Sequence, residues 1–189
     1  MLLETIRCEN GFAANLPYHQ NRLNHALTSL NLETKYNLSS LILPPSTGVY
    51  RCRFLYDWDH FQIEYHPYIP KEFRSFKCMD ADHLYYPHKY ADRSGIETLS
   101  MQRNGCDDIL IFQNGLLCDT SIANVALFLD NQWITPEKPL LQGTTRERLL
   151  NEKRIMTASI TREDLLGASR FAIMNAMMGF LEVENAIIR

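Results

Sequence analysis

The 189-residue sequence lacks the features that would place it in several large functional classes. It has no surplus of basic residues. Nineteen lysines and arginines stand against 22 aspartates and glutamates, a net charge of -3, and no basic run interrupts the chain. That balance gives no footing for a nucleic-acid surface. No stretch approaches the roughly 20 apolar residues needed to span a bilayer. The opening Met1-Leu2-Leu3-Glu4-Thr5-Ile6-Arg7 places charge inside what would be a signal core, so a cytoplasmic protein is expected. The five cysteines form no C-x-x-C pair, which argues against a zinc ribbon or a thioredoxin-like motif and for reduced thiols. The six histidines contain no H-x-x-x-H pair, and no metal site is expected. Repeats and low-complexity tracts are missing. What remains is an ordinary globular composition, 46% hydrophobic and 22% charged, long enough for one large domain or two small ones.

The local pattern reads as α+β. Leu3–Glu9 is expected as a strand, Asn10-Gly11 as a hairpin turn and Phe12–Asn15 as the return. Asn15 is placed to cap a helix with Pro17 in its first turn and Leu16, Leu23, Ala26, Leu27 and Leu30 on one stripe. His19 and Arg22 share a face of that helix, where spacing alone makes Arg22 a solvated charge. A short helix is expected within 37–43. Gly48–Tyr56 reads as a strand with Arg51 and Arg53 on one face and Tyr50, Cys52, Phe54 and Tyr56 on the other. Two arginines on one strand face call for solvent or an anion. Strands are expected at 60–68 and 74–79.

Pro67, Pro70 and Lys71-Glu72 mark a boundary, giving domains 1–70 and 71–189. Beyond it, helices are expected at Ala91–Asn104 and Thr144–Ala158, and a short capped turn at Thr161–Leu165. Hairpins are expected around Asn114-Gly115 and Asp130-Asn131, with closing strands Arg170–Met174 and Phe180–Ile188.

Three short motifs carry chemistry. Lys89 follows Tyr85, Tyr86, Pro87 and His88, a setting that could lower the pKa of an amine. Asp119 opens a strand after Cys118, and Gly143-Thr144-Thr145 precedes a helix, a suitable place for a phosphate. Singly, these read equally well as a surface lysine, a turn aspartate and a plain helix cap. Together they supply what pyridoxal 5'-phosphate (PLP) needs: an amine for its aldehyde, a partner for its ring nitrogen and a phosphate cradle.

In order along the chain, the motifs resemble the class IV (fold-type IV) PLP enzymes, which include branched-chain and D-amino-acid aminotransferases and 4-amino-4-deoxychorismate lyases. The resemblance runs through Leu3-Glu4-Thr5-Ile6-Arg7, His19-x-x-Arg22-Leu23, Lys89-x-x-x-Arg93, Asp119-x-Ser121-x-x-Asn124, Leu141-x-Gly143-x-Thr145-Arg146 and Phe171 to Ala176. It implies a small α+β domain followed by a larger domain with a barrel-like sheet and flanking helices, usually as a homodimer. It implies that Lys89 forms the Schiff base and shuttles protons. Arg22, Ser121, Thr144 and Thr145 are then cofactor ligands, Asp119 pairs with the ring nitrogen, and Arg51 or Arg53 meets a substrate carboxylate. The family normally carries glutamate where Asp119 stands, one methylene longer. Compact length and Glu4-Thr5 point to a lyase acting on 4-amino-4-deoxychorismate. An aminotransferase for a small branched-chain or D-amino acid, and a trimmed PLP-binding homologue without catalysis, are the alternatives.

Overall fold

The computed structural model describes residues 1–189. The chain forms two compact units, Met1–Pro70 with His88–Asp92, and Lys71–Pro87 with Arg93–Arg189. The α+β class expected from the sequence is the class observed. No helix is long and apolar enough to cross a membrane.

The first unit is a four-stranded antiparallel sheet with helices. Strand β1 (Leu2–Glu9) turns through Asn10 and Gly11, both at positive φ (48° and 83°), into the two-residue β2 (Phe12–Ala13). Helices α1 (Leu16–Ser29) and α2 (Leu38–Leu41) follow, then β3 (Val49–Tyr56) and β4 (Phe61–Pro67). The strand order is β2-β1-β3-β4. In the β1–β3 register Glu4 lies opposite Phe54 and Ile6 opposite Cys52. Alternation therefore puts Leu2, Glu4, Ile6 and Cys8 on one face with Cys52, Phe54 and Tyr56. That face packs with Leu23, Ala26 and Leu27 of α1 in one core. Arg51 and Arg53 project on the opposite face, as the alternation in β3 requires.

Two local expectations need correction. Asn15 sits at the start of α1 in a left-handed conformation (φ 56°), and its side chain makes no capping bond. Its carbonyl instead accepts from the amides of Tyr18 and His19, at 3.1 and 3.4 Å. Leu30 leaves the apolar stripe and is exposed.

Because β2 pairs only with Cys8 and Glu9, the Met1–Leu3 end of β1 has a bare edge. Residues 88–92 take it: Leu3 N donates to the Lys89 carbonyl at 2.9 Å, and Ala91 N to the Met1 carbonyl at 3.1 Å. The lysine expected to carry the chemistry is thus held by backbone bonds in the first unit's sheet.

The second unit is built on a nine-stranded sheet. Its elements are β5 (Ser75–Asp80), α3 (Ser94–Met101), β6 (Asp108–Gln113), β7 (Leu116–Thr120), β8 (Asn124–Leu129) and β9 (Gln132–Pro136). They continue with α4 (Thr144–Asn151), β10 (Met156–Ala158), α5 (Arg162–Gly167), β11 (Arg170–Asn175), β12 (Gly179–Glu182) and β13 (Ile187–Ile188). The main path runs β10-β9-β8-β7-β6-β5-β13, and it branches where β11 pairs with both β8 and β12. Phe76, Leu110, Phe112, Leu117, Val125, Leu127, Phe171 and Ile173 form its principal core.

Three expected elements are shorter than the sequence pattern suggests. Helix α3 begins at Ser94, because residues 89–91 run alongside Met1–Leu3 as a bridge to β1. It ends at Met101, where Gln102 and Arg103 bond back to Leu99 and Ser100 before Asn104 and Gly105 turn at positive φ. Helix α4 ends at Asn151 rather than Ala158. Lys153 takes a left-handed φ of 56°, Lys153 N bonds the Leu150 carbonyl, and Arg154 N bonds the Leu149 carbonyl. This closes the helix in the way a glycine usually does. Met156–Ala158 then pairs in parallel with Ile134–Pro136. The last expected strand is two, interrupted at Asn185 (φ 52°), and Ile187–Ile188 pairs with Ser75–Phe76 of β5.

Candidate active site

The expected site residues divide between the units. Arg22, Arg51, Arg53 and Lys89 belong to the first; Asp119, Ser121, Thr144 and Thr145 belong to the second.

In the first unit, Arg22 is not a solvated helix charge. Glu4 enters the core from the middle of β1 with no exposed surface, and Arg22 reaches it from α1. Arg22 Nε donates to Glu4 Oε1 at 2.8 Å and Nη2 to Oε2 at 2.6 Å. His19, one helical turn earlier, places Nδ1 2.6 Å from Glu4 Oε2. Burial alone would raise the Glu4 carboxyl. The Arg22 charge and the bonds from His19 and Arg22 overcome it and leave Glu4 at about 2, against an ordinary 4.5. Glu4 is therefore ionised, and the His19 Nδ1–H donates to it. Burial chiefly, opposed by Glu4 but reinforced by the Arg22 and Lys89 charges, holds the His19 imidazole neutral. Its Nε2 is buried with no hydrogen-bond partner. Spacing on α1 was enough to pair His19 with Arg22. What it could not show was Glu4, although a lone acid among Leu2, Ile6 and Cys8 on a buried strand face is itself the signal.

Of the two β3 arginines, Arg53 is satisfied by Glu64 on β4 (Nη1 to Oε2, 2.8 Å). Arg51 is exposed and makes no hydrogen bond or ion pair within the chain. It is the arginine open to an external anion.

In the second unit the geometry starts from the tight β7–β8 connection. Thr120 Oγ1 accepts from the amides of Ile122 and Ala123, folding residues 120–123 into a compact turn. Asp119 and Asn124 thereby become a cross-strand pair. Asn124 Nδ2 donates to Asp119 Oδ1 at 2.7 Å and to the Leu141 carbonyl at 2.8 Å, while Leu141 N donates to Asp119 Oδ2 at 2.9 Å. The carboxylate is thus stitched to the loop that leads into α4. Gly143 in that loop is there for space: a Cβ would lie 1.9 Å from Asn124 Oδ1.

No side chain caps α4, whose N-cap is Gly143. Thr144 and Thr145 in its first turn are both buried, and neither hydroxyl is hydrogen-bonded within the protein. Uncapped first-turn amides beside two hydroxyls suit an oxyanion. Buried Arg146 does not bond Asp119; its Nη1 and Nη2 are held by Gln142 and by the Pro136 carbonyl. Ser121 contributes a carbonyl that accepts from Arg93 Nη2. Asn124, Leu141 and Gly143 stand in the sequence motifs, but their part in fastening Asp119 to the α4 loop shows only in the fold.

Burial drives the Asp119 carboxyl up to about 7 against an ordinary 3.8; the Asn124 and Leu141 bonds and the Arg146 charge only partly oppose it. A carboxyl with a raised pKa stabilises the fold below its unfolded value, and that stability is lost as pH rises through the folded value. Glu4 has the opposite sign: its contribution is present above its unfolded pKa and lost as pH falls toward about 2. The two slopes meet between the unfolded values, 3.8 and 4.5. Below pH 6.5 the neutral His19 adds a slope of the opposite sign, because burial disfavours its charged form, so Asp119 is read by difference. In denaturant titrations of the cofactor-free protein, wild type should lose stability relative to Asp119→Asn as pH rises from about 4 to 7, at up to about 1.4 kcal/mol per pH unit. A constant difference between the two proteins across that range would mean that Asp119 is not the buried group described.

The Amino-transferase class IV profile matches residues 65–186, more than half of the sequence. The chain belongs to that family. An uncharacterized protein of Haemophilus influenzae is 38% identical over 184 residues, which are 94% of this chain and 98% of that protein. The crystal structure of a proposed 4-amino-4-deoxychorismate lyase from Haemophilus somnus is 37% identical, with a TM-score of 0.87 over 94% of this chain and 96% of the other. A proposed amino-acid aminotransferase from Mesorhizobium loti shares the fold at 22% identity, with a TM-score of 0.80 over 100% and 99% of the two chains. Class IV amino-transferases are PLP-dependent. The second unit of this chain fits that group chemically. Asp119 is a buried carboxylate with no bonded cation, and it keeps room to accept a further hydrogen bond beyond those from Asn124, Leu140 and Leu141. The start of α4 offers donors that the protein does not use.

Proposed function

We propose that this class IV chain is a PLP-dependent enzyme whose reaction is that of a 4-amino-4-deoxychorismate lyase. The observation that carries the reading is the pair formed by Asp119, buried without a cation, and the uncapped first turn of α4, joined through Asn124 and Gly143. The choice of a lyase is supported by the 37%-identical relative proposed to have that activity.

When bound, PLP supplies an aldehyde that captures an amine and a protonated ring that accepts the electron pair of the bond being broken. On this reading Lys89 would be the amine that holds the cofactor, and its Nζ would be the base that takes a proton from the substrate carbon. Asp119 holds the proton on the ring nitrogen. A cationic N–H against its carboxylate would bring Asp119 back to a stable charge at neutral pH. In the second unit the Thr144 and Thr145 hydroxyls and the first amides of α4 would hold the phosphate, and Ser121 lies beside the ring motif; in the first unit Arg22 is the residue that would meet a phosphate. Arg51 is the arginine available to a substrate carboxylate.

Lyase and aminotransferase part after proton removal. Supplied with 4-amino-4-deoxychorismate and no keto acid, the protein should release pyruvate continuously while its cofactor stays in the aldehyde form. Conversion of the cofactor to its amine form by an ordinary amino acid, without pyruvate, would assign an aminotransferase instead. Silence in both assays from PLP-loaded protein would assign a non-catalytic binder.

A homodimer belongs to the same proposal. In the first unit Phe12, Leu43 and Ile69 are 81, 76 and 81% exposed, side chains that a second copy would cover. Light scattering at micromolar concentration should give twice the 22.0 kDa chain mass. A monomer with PLP bound would refute this.

A further inference from the structure

We infer that Glu4 is a positioning residue for the cofactor phosphate, acting through Arg22. The inference rests on the functional reading above, in which Arg22 meets that phosphate. It adds a residue with no assigned role and fixes the direction of its effect.

Glu4 is fully buried in the middle of a strand, on a face otherwise made of Leu2, Ile6 and Cys8. A carboxylate there is costly unless every lone pair is used well. Glu4 receives three short bonds, two of them from one guanidinium, Arg22 Nε at 2.8 Å and Nη2 at 2.6 Å. The third comes from His19 Nδ1, at 2.6 Å. Two parallel bonds from a planar fork fix the plane and the direction of the guanidinium, as one bond could not. The acceptor is mounted on a central strand of the sheet, and the donors on the helix packed over it. Arg22 is therefore held in one orientation, while 13% of its side chain stays exposed where α1 meets solvent. A long cationic side chain normally loses rotamer freedom when it grips an anion. Here that freedom is lost on folding, before any anion arrives.

Charge alone predicts the opposite effect. Glu4 cancels part of the Arg22 field, so removing its charge would tighten the hold on a phosphate if orientation were unimportant. The sign of the change therefore decides between the two accounts.

The test compares PLP with pyridoxal, which lacks the phosphate, by equilibrium dialysis on cofactor-free protein. Glu4→Gln keeps the shape of the side chain and removes its charge. The expected result is about a tenfold or greater loss of PLP affinity with pyridoxal affinity unchanged. Circular dichroism confirms that the variant is folded. Should Glu4→Gln not fold, His19→Phe keeps a ring of similar size, removes one of the three bonds and leaves the Arg22 fork. It should show a smaller loss, again confined to PLP. Equal losses for both ligands, no loss, or tighter PLP binding would overturn the positioning role and leave the functional reading standing. Wild-type protein that fails to bind PLP would overturn the functional reading, and this inference with it.

Discussion

Arg22→Ala is expected to lower the stability of the protein by about 3–5 kcal/mol, the cost of leaving one partner of a buried ion pair charged and alone. The partner left behind is Glu4, which has no exposed surface and no cation beside it other than Arg22 and, if protonated, His19. Two responses are open to the variant. Glu4 can take up a proton, its pKa climbing as burial goes unopposed, or His19 can take one and become the counter-ion. Both make the variant more sensitive to alkaline pH than the wild type. Urea titrations at pH 5 and pH 8 should show the deficit widening at pH 8. A loss below about 1 kcal/mol at both values would mean that the pair is effectively solvated, as an exposed ion pair is. In variant protein that remains folded, PLP affinity should also fall by roughly tenfold or more, the worth of one charge-assisted contact.

The second large effect concerns Lys89. Replacing it with alanine should reduce turnover by at least about 10²–10⁴-fold, the range for a proton-transferring side chain. The fold should be little affected, because the first unit holds this segment through the backbone. The bonds from Leu3 N to the Lys89 carbonyl and from Ala91 N to the Met1 carbonyl do not depend on the side chain at 89. Borohydride reduction of PLP-loaded wild type, followed by peptide mass mapping, should place the covalent adduct on Lys89. An adduct on another lysine would move the assignment there.

Much of this architecture can be read from the residue order. The alternation in β1 and β3, the Asn10-Gly11, Asn114-Gly115 and Asp130-Asn131 turns, and the Thr161 capping box are local signals, and the chain obeys them. The failures are equally physical. Helix α4 stops at a lysine in a left-handed conformation, where no glycine announces the stop. The short β10 exists because a parallel edge of β9 is available to it, which a window of sequence does not contain. The site shows the same division. His19-x-x-Arg22 is legible because residues three apart on a helix share a face. Glu4 as their common acceptor depends on a helix packing over a strand, and the Asn124–Asp119 pairing depends on a turn that brings two strands into register.

The course of the backbone has its own consequence. Residues 71–87 belong to the second unit, yet residues 88–92 return to the first before the chain goes back. No single cut separates the two units into continuous pieces. The edge of β1 near Met1 is completed by a segment made some ninety residues later, so during synthesis the first unit emerges unfinished and waits. Such long-range closure is slow relative to local helix and hairpin formation. By the time the ribosome has added Lys89, the rest of the first unit has already been made. The reactive lysine is therefore among the last parts of that unit to be fastened, although its anchoring partner is among the first residues translated.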